Sequence, residues 1–301
     1  IGDWPTGFML ETPISVSPRR SRTIRESYEN FRYYHGKGRT RYLPMAYRLY
    51  EISHVHKDSP AHLPVSLHQY FEGYNELNFA NAALRQWVPG SPNPFQPFAD
   101  EGLGNILSEI TAAVAYHYEP EIDGGTTIAN ICINNGDFIY KKNADGSDSI
   151  HLITVRARKA GVAIPAFIRS LIELQAIEEM LPDREKVAPQ QGMHLMAQLP
   201  VTISNPGIAF HGLVKGLGYL YHDQSVAEHD VKARETACRW IREFADSPEG
   251  EPYREDAERF LRNDLPLSSK LPYGGYPSPG SLEEEILGLN RYIESFPEGS
   301  G

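Results

Sequence analysis

Cysteine is scarce in this chain: Cys132 and Cys238 are the only two among 301 residues. Two cysteines cannot build a disulfide framework for a chain of this length. No CxxC pair exists either, which leaves no thioredoxin-type redox motif and no zinc ribbon. A reducing compartment is permitted. Long apolar runs are missing too. The longest apolar-leaning segment, Ile164 to Leu181, is broken by Arg169, Glu173, Glu178 and Glu179. A bilayer-spanning helix needs about 20 apolar residues. The opening Ile1-Gly2-Asp3-Trp4 lacks the basic-then-apolar order of a secretory signal. The expected setting is therefore cytoplasmic or particle-associated, with no membrane partner.

Catalytic signatures are equally sparse. There is no Walker-type phosphate loop, no GxSxG elbow, and no GxGxxG that opens a helix after a strand. Asp145-Gly146-Ser147-Asp148 offers oxygen ligands, but no glutamate closes a twelve-residue calcium loop, so it reads as a hairpin turn. Basic residues are also outnumbered, 29 against 39, for a net charge of −10. A protein that coats single-stranded nucleic acid by charge neutralisation needs more positive charge than this.

What the chain does have is an uneven distribution of that charge. Residues 1–57 carry ten basic side chains and five acidic ones, a local +5, so residues 58–301 sum to −15. Eight of the ten basic residues form a compact group: Arg19, Arg20, Arg22, Arg25, Arg32, Lys37, Arg39 and Arg41. Tyr33, Tyr34 and Tyr42 are interleaved with them. Arginine and lysine contact phosphates without reading sequence, and aromatic rings stack on unpaired bases. These eight are the candidate polyanion-binding residues. The plainer alternative is a solvated face, or an arm that pairs with acidic protein.

Two histidine groups invite a metal reading. The first is His54, His56, His62 and His68, with Glu51 one helical turn before His54. Helical di-iron proteins use that Glu-x-x-His spacing, but they need it twice, and Pro60 and Pro64 interrupt any single helix face here. The second is His211, His222, Asp223, His229 and Asp230. Its two His-Asp pairs share a face only if one helix runs through Ser225. No metal, catalytic residue or cofactor is assigned from either group.

The periodicity predicts mostly helices. Thr23-Ile24-Arg25-Glu26 forms a capping box ahead of Ile24, Tyr28 and Phe31. A second helix is expected over Met45 to Val55 and a third over about Ser66 to Trp87, where Leu67, Tyr70, Tyr74, Leu77 and Leu84 recur at three- and four-residue steps. Others are expected from Leu103 to before Pro120, from Pro165 to before Pro182, from Ser225 to about Ala245, from Pro252 to Arg262, and from Ser281 onward. The segment 192–222 is Gly-rich and ambiguous. Strands are expected at Thr126 to Ile133, Phe138 to Lys141 and Ser149 to Val155, joined by Asn- and Gly-bearing turns.

The sum is a mainly α-helical (α+β) protein with one small antiparallel three-stranded meander at about 126–155. The expected layout is one domain over 1–301. It has a basic Tyr/Arg-rich region at 15–57, helical segments at 66–118 and 161–296, and the meander between them. The Pro-rich stretch 89–97 is the best candidate boundary if there are two. Divided charge and the absence of catalytic motifs favour a self-associating structural protein. The concrete form is a capsid or nucleocapsid-like shell subunit around a duplex genome, with a local basic surface that meets nucleic acid or an acidic neighbouring subunit. Two other readings stay open: an α-helical metal-dependent enzyme with a His/Asp/Glu site, and an effector module that docks its basic arm on a partner protein.

Overall fold

The computed structural model describes residues 8–12, 18–56, 59–80, 83–87, 90, 95–98, 100–129, 137–180, 195–203 and 205–262. The chain divides into two compact units, 1–72 with 268–301, and 73–267. Six helices and twelve strands lie among the described residues, so the fold is a mixed α+β one in which strands take a larger share than the periodicity suggested. No helix there is long and apolar enough to cross a membrane.

The first unit contains β1 (Phe8–Glu11), α1 (Pro18–Gly36), β2 (Ala46–His56) and β3 (Ser59–Gln69). The strands form an antiparallel sheet in the order β1-β3-β2. Pro18 opens α1, where the missing N–H is harmless. Ile24, Ser27, Phe31, Tyr34 and His35 are buried at helical spacing, and α1 rests on β2 and β3.

The expected helix over Met45 to Val55 is instead β2. Alternation decides it: Arg48, Tyr50 and Ile52 stand opposite Leu67, Val65 and Leu63 on one face of the sheet. The expected helix over Ser66 to Trp87 is also overturned. That segment holds the end of β3 and two further strands, β4 (Asn75–Ala80) and β5 (Ala83–Trp87). Gly73, at φ +75, makes the turn that separates them. Pro60 and Pro64 are tolerated inside β3 because, among the described residues, β1 pairs only with Ser66 to Gln69 and leaves the edge beside the prolines unpaired.

The second unit continues with β6 (Phe95–Pro97), α2 (Asp100–Tyr116), β7 (Thr127–Ala129), β8 (Phe138–Lys142), β9 (Asp148–Leu152), β10 (Ala157–Lys159), α3 (Ile164–Ile172), β11 (Glu173–Met180), β12 (Leu195–Thr202), α4 (Pro206–Asp223), α5 (His229–Ala245) and α6 (Arg254–Arg262). One sheet runs β6-β5-β4-β8-β9, and β7 with β10 and β11 with β12 form separate two-stranded ribbons. Two strands of the expected meander, β8 and β9, form as a hairpin around the Asn143–Asp148 turn. The third differs: β7 pairs with β10, and β8 takes β4 as its other neighbour. The Pro-rich stretch 89–97 contains β6, hydrogen-bonded to β5, inside the second unit.

The helices of this unit follow the sequence more closely. Helix α3 is shorter than expected, because the chain turns at Glu173, which accepts hydrogen bonds from Arg169 Nε (3.0 Å) and the Tyr253 hydroxyl (2.7 Å). Helix α5 starts at His229, not Ser225. Ser225 (φ 56) and Glu228 (φ 52) are both left-handed, which breaks the capping box. Val231 is 54% exposed in the first turn, whereas Ile241 and Phe244 are fully buried. The core gathers Tyr118 stacked on Phe167 (centroids 3.8 Å), with Trp240 edge-on to Tyr118. Each such ring contributes about 2–3 kcal/mol by burial. The helix expected from Ser281 lies outside the described residues.

Candidate functional site

The expected polyanion-binding residues separate into distinct environments. Arg19 and Arg20 fall in the first turn of α1. Arg22 and Arg32 are exposed, on a helix face shared with Glu26 and Glu29. Two acids among the arginines dilute the field that face projects. Arg25 grips Glu51 on β2 with two hydrogen bonds, Nε to Oε1 at 2.7 Å and Nη2 to Oε2 at 3.0 Å. The guanidinium holds the Glu51 carboxyl below its ordinary range through these bonds. Lys37 is exposed, with Nζ 4.5 Å from the centre of the Tyr33 ring. Arg39 and Arg41 are 8% and 6% exposed, so little of either reaches solvent. Among the described side chains of this group, Arg22, Arg32 and Lys37 face outward, and Arg25 is engaged with Glu51. Arg22 and Arg32 are about 15 Å apart along the helix axis.

The Glu51-to-His54 spacing does not make a helical ligand pair. Both residues lie in β2, a strand, so the one-turn helical spacing does not apply. What this region does form is a long ribbon. Strands β2 and β3 pair from Ala46/His68 to His56/Ser59. Toward the turn, Glu51, Ile52, Ser53 and His62 are all exposed. Ser53 Oγ lies 3.5 Å from His62 Nδ1 across the strands. Among the described residues, five large hydrophobic side chains are exposed, and four of them, Phe8, Leu10, Ile52 and Tyr70, belong to the first unit.

The second histidine group is partly assembled by the α4–α5 corner. His222 and His229 stand perpendicular with centroids 5.2 Å apart. Asp223 takes a hydrogen bond from the Tyr116 hydroxyl (2.9 Å) and lies 3.0 Å from His222 Nδ1. His229 Nε2 is 3.7 Å from Asp230. His211 is elsewhere, against Phe260, with its imidazole pKa lowered by burial. No group of three or more His, Cys, Asp or Glu among the described residues has the geometry to hold a metal ion.

Sequence reasoning missed a buried polar seam between α1 and β3. Ser27 Oγ, His35 Nε2 and His68 Nδ1 are enclosed there without a hydrogen-bond partner. His68 is fully buried; its Nε2 donates to Ser66 Oγ (2.8 Å), and Ser66 donates in turn to Glu11 (3.3 Å). Burial, with Arg32 and His68 nearby, pushes the His35 pKa down to about 4. The available signal was His35 at helical spacing from Ser27 and Phe31, on the face that carries Ile24.

Comparison with protein-family models, with curated proteins and with solved structures returned no match.

Proposed function

We propose that the chain is a self-assembling structural subunit of a capsid or nucleocapsid-like shell, in which the β2–β3 ribbon is the arm that engages a neighbouring copy. The observation that carries this reading is the exposed far end of the ribbon. Eleven-residue strands extend about 35 Å. A bare two-stranded ribbon is marginal in water, and this one leaves Ile52 50% exposed. Contact with another subunit would complete it. The exposed Arg22, Arg32 and Lys37 are the part of the basic front placed to meet nucleic acid or an acidic neighbour. A net charge of −10 favours a shell around a duplex genome over close coating of a single strand.

The test shortens the arm. Glu51 and Pro64 are paired, so Ile52 to Leu63 can be replaced by an Asn-Gly turn. Native mass by sedimentation is expected to fall from an assembly to a monomer, with far-UV circular dichroism otherwise retained. A parent chain that is monomeric at every concentration, or a shortened one that still assembles, would overturn the proposal. In the assembled material, Arg22→Ala with Arg32→Ala and Lys37→Ala should lower the 260-to-280 nm absorbance ratio without changing the mass. An unchanged ratio rules out a nucleic-acid contact through these three residues.

A further inference from the structure

We propose that α1 is an acid-released latch: protonation of His35, enclosed between α1 and the sheet, drives the helix off β3. This goes beyond the assembly reading and does not depend on it.

The geometry around His35 is one-sided. One ring nitrogen hydrogen-bonds to the Pro44 carbonyl, and Nε2, the nitrogen that would take up a proton, is buried without an acceptor. The groups beside the ring disfavour a cation there. Arg32 lies one turn earlier on α1, and His68 faces it from β3. Phe31 packs against both, its ring 6.4 Å from His35 and 5.0 Å from His68. Glu11 on β1 is engaged by other groups: it accepts from Ser66 and lies 3.5 Å from His68 Nε2. A charge on His35 therefore meets the Arg32 cation, an apolar ring and a bare N–H.

Release of α1 relieves all of this at once. Strands β1, β2 and β3 are tied to each other by backbone hydrogen bonds, whereas α1 is held by side chains: Ile24, Phe31, Tyr34 and the Arg25–Glu51 pair. The direction of the pH effect follows from where the proton binds better. A released His35 titrates near 6.5, and the docked one at about 4. The released state therefore binds more protons between these values. Docking is at full strength above about pH 6.5, weakens as the pH falls toward 4, and changes no further below that. Over this interval the released-to-docked ratio rises about a hundredfold.

Hydrogen exchange followed by mass spectrometry on the full chain tests this at pH 7.0 and 4.5, after correction for intrinsic exchange rates. Peptides of α1 are expected to lose protection at the lower pH by about a hundredfold, while those of α4 and α5 keep theirs. His35→Gln retains a donor for the Pro44 carbonyl but cannot charge, and should keep α1 protected at both values. Unchanged protection of α1 in the parent chain at pH 4.5 overturns the proposal, as does equal loss in the variant. If His35→Gln fails to dock at neutral pH, the His35 ring proton is titrated by NMR in the parent chain. A midpoint well below 6.5 supports the latch; one near 6.5 with α1 still protected overturns it.

Discussion

Gly216→Ala is expected to destabilise the second unit by about 3 kcal/mol, and Gly216→Leu to prevent its native packing altogether. Helices α2 and α4 pass so closely that a Cβ on Gly216 would lie 2.5 Å from the Ala112 carbonyl oxygen and 2.8 Å from Ala115 Cβ. Gly212, one turn earlier, faces Thr111 in the same way, and its Cβ would lie 2.7 Å from the Ser108 carbonyl oxygen. The obstructing atoms at Gly216 are largely backbone, so no rotamer change relieves the clash and the helices must separate. Separation would cost contacts along the whole pair, including the ion pair of Lys215 with Glu109. Gly104→Ala is the matched control. It is also helical, but its Cβ would meet only Ile208 Cδ1 at 3.7 Å, an ordinary contact. There the better helix propensity of alanine should win, for a gain of up to about 1 kcal/mol. Urea midpoints of the two variants would move in opposite directions. Equal shifts would show that close helix approach is not what holds Gly216.

Arg156→Met is expected to cost about 2–3 kcal/mol. Asp137, at the entry to β8, has a side chain only 1% exposed, with its two carboxylate oxygens 2.5 and 2.6 Å from Arg156 Nη1. Its carbonyl also accepts from Ile153 N, so it stands at the open end of the β8–β9 hairpin, opposite the turn. Removing the guanidinium leaves a carboxylate in a low-dielectric setting, which is the expensive way to break a buried pair. The figure stays below that for a fully enclosed pair because Arg156 is 32% exposed. Adding Asp137→Asn to Arg156→Met should recover part of the loss. A double variant no more stable than the single one would mean the charge of Asp137 is not the source. Thermal unfolding monitored by circular dichroism measures both.

Helices with explicit start signals could be read directly from the residues. Pro165 placed the start of α3, and the apolar residues from Leu103 onward placed α2 to within a few residues, whereas the capping box at Thr23 misplaced the start of α1, which begins five residues earlier at Pro18. The segment around Gly73 defeated the same reasoning. Leu67, Leu77 and Leu84 are all buried, as a helix stripe would require, but they are buried by three successive strands. Spacings of three and four residues arise by chance across short strands joined by turns, and Gly73 was the break that distinguished the two. The partner of β7 was illegible because β10 lies nearly thirty residues away, beyond a hairpin that looked like the nearer choice. For the basic front, composition revealed charge but not burial. Arg25 faces Glu51 only because β2 is a strand beside α1, and nothing local marks Arg39 and Arg41 for the interior.

The neighbour of β4 in the five-stranded sheet has a consequence for synthesis. Asn75 pairs with Tyr140, 65 residues later in the chain. At translation rates of about 5–20 residues per second, that side of β4 emerges roughly 3 to 13 seconds before its partner exists. During this interval β4 can pair only with β5, as a short antiparallel ribbon whose other β4 edge is open. Nascent chains on one messenger thus present adhesive edges to one another before the second unit closes. A chaperone or a slow stretch of codons would act most usefully between residues 80 and 140.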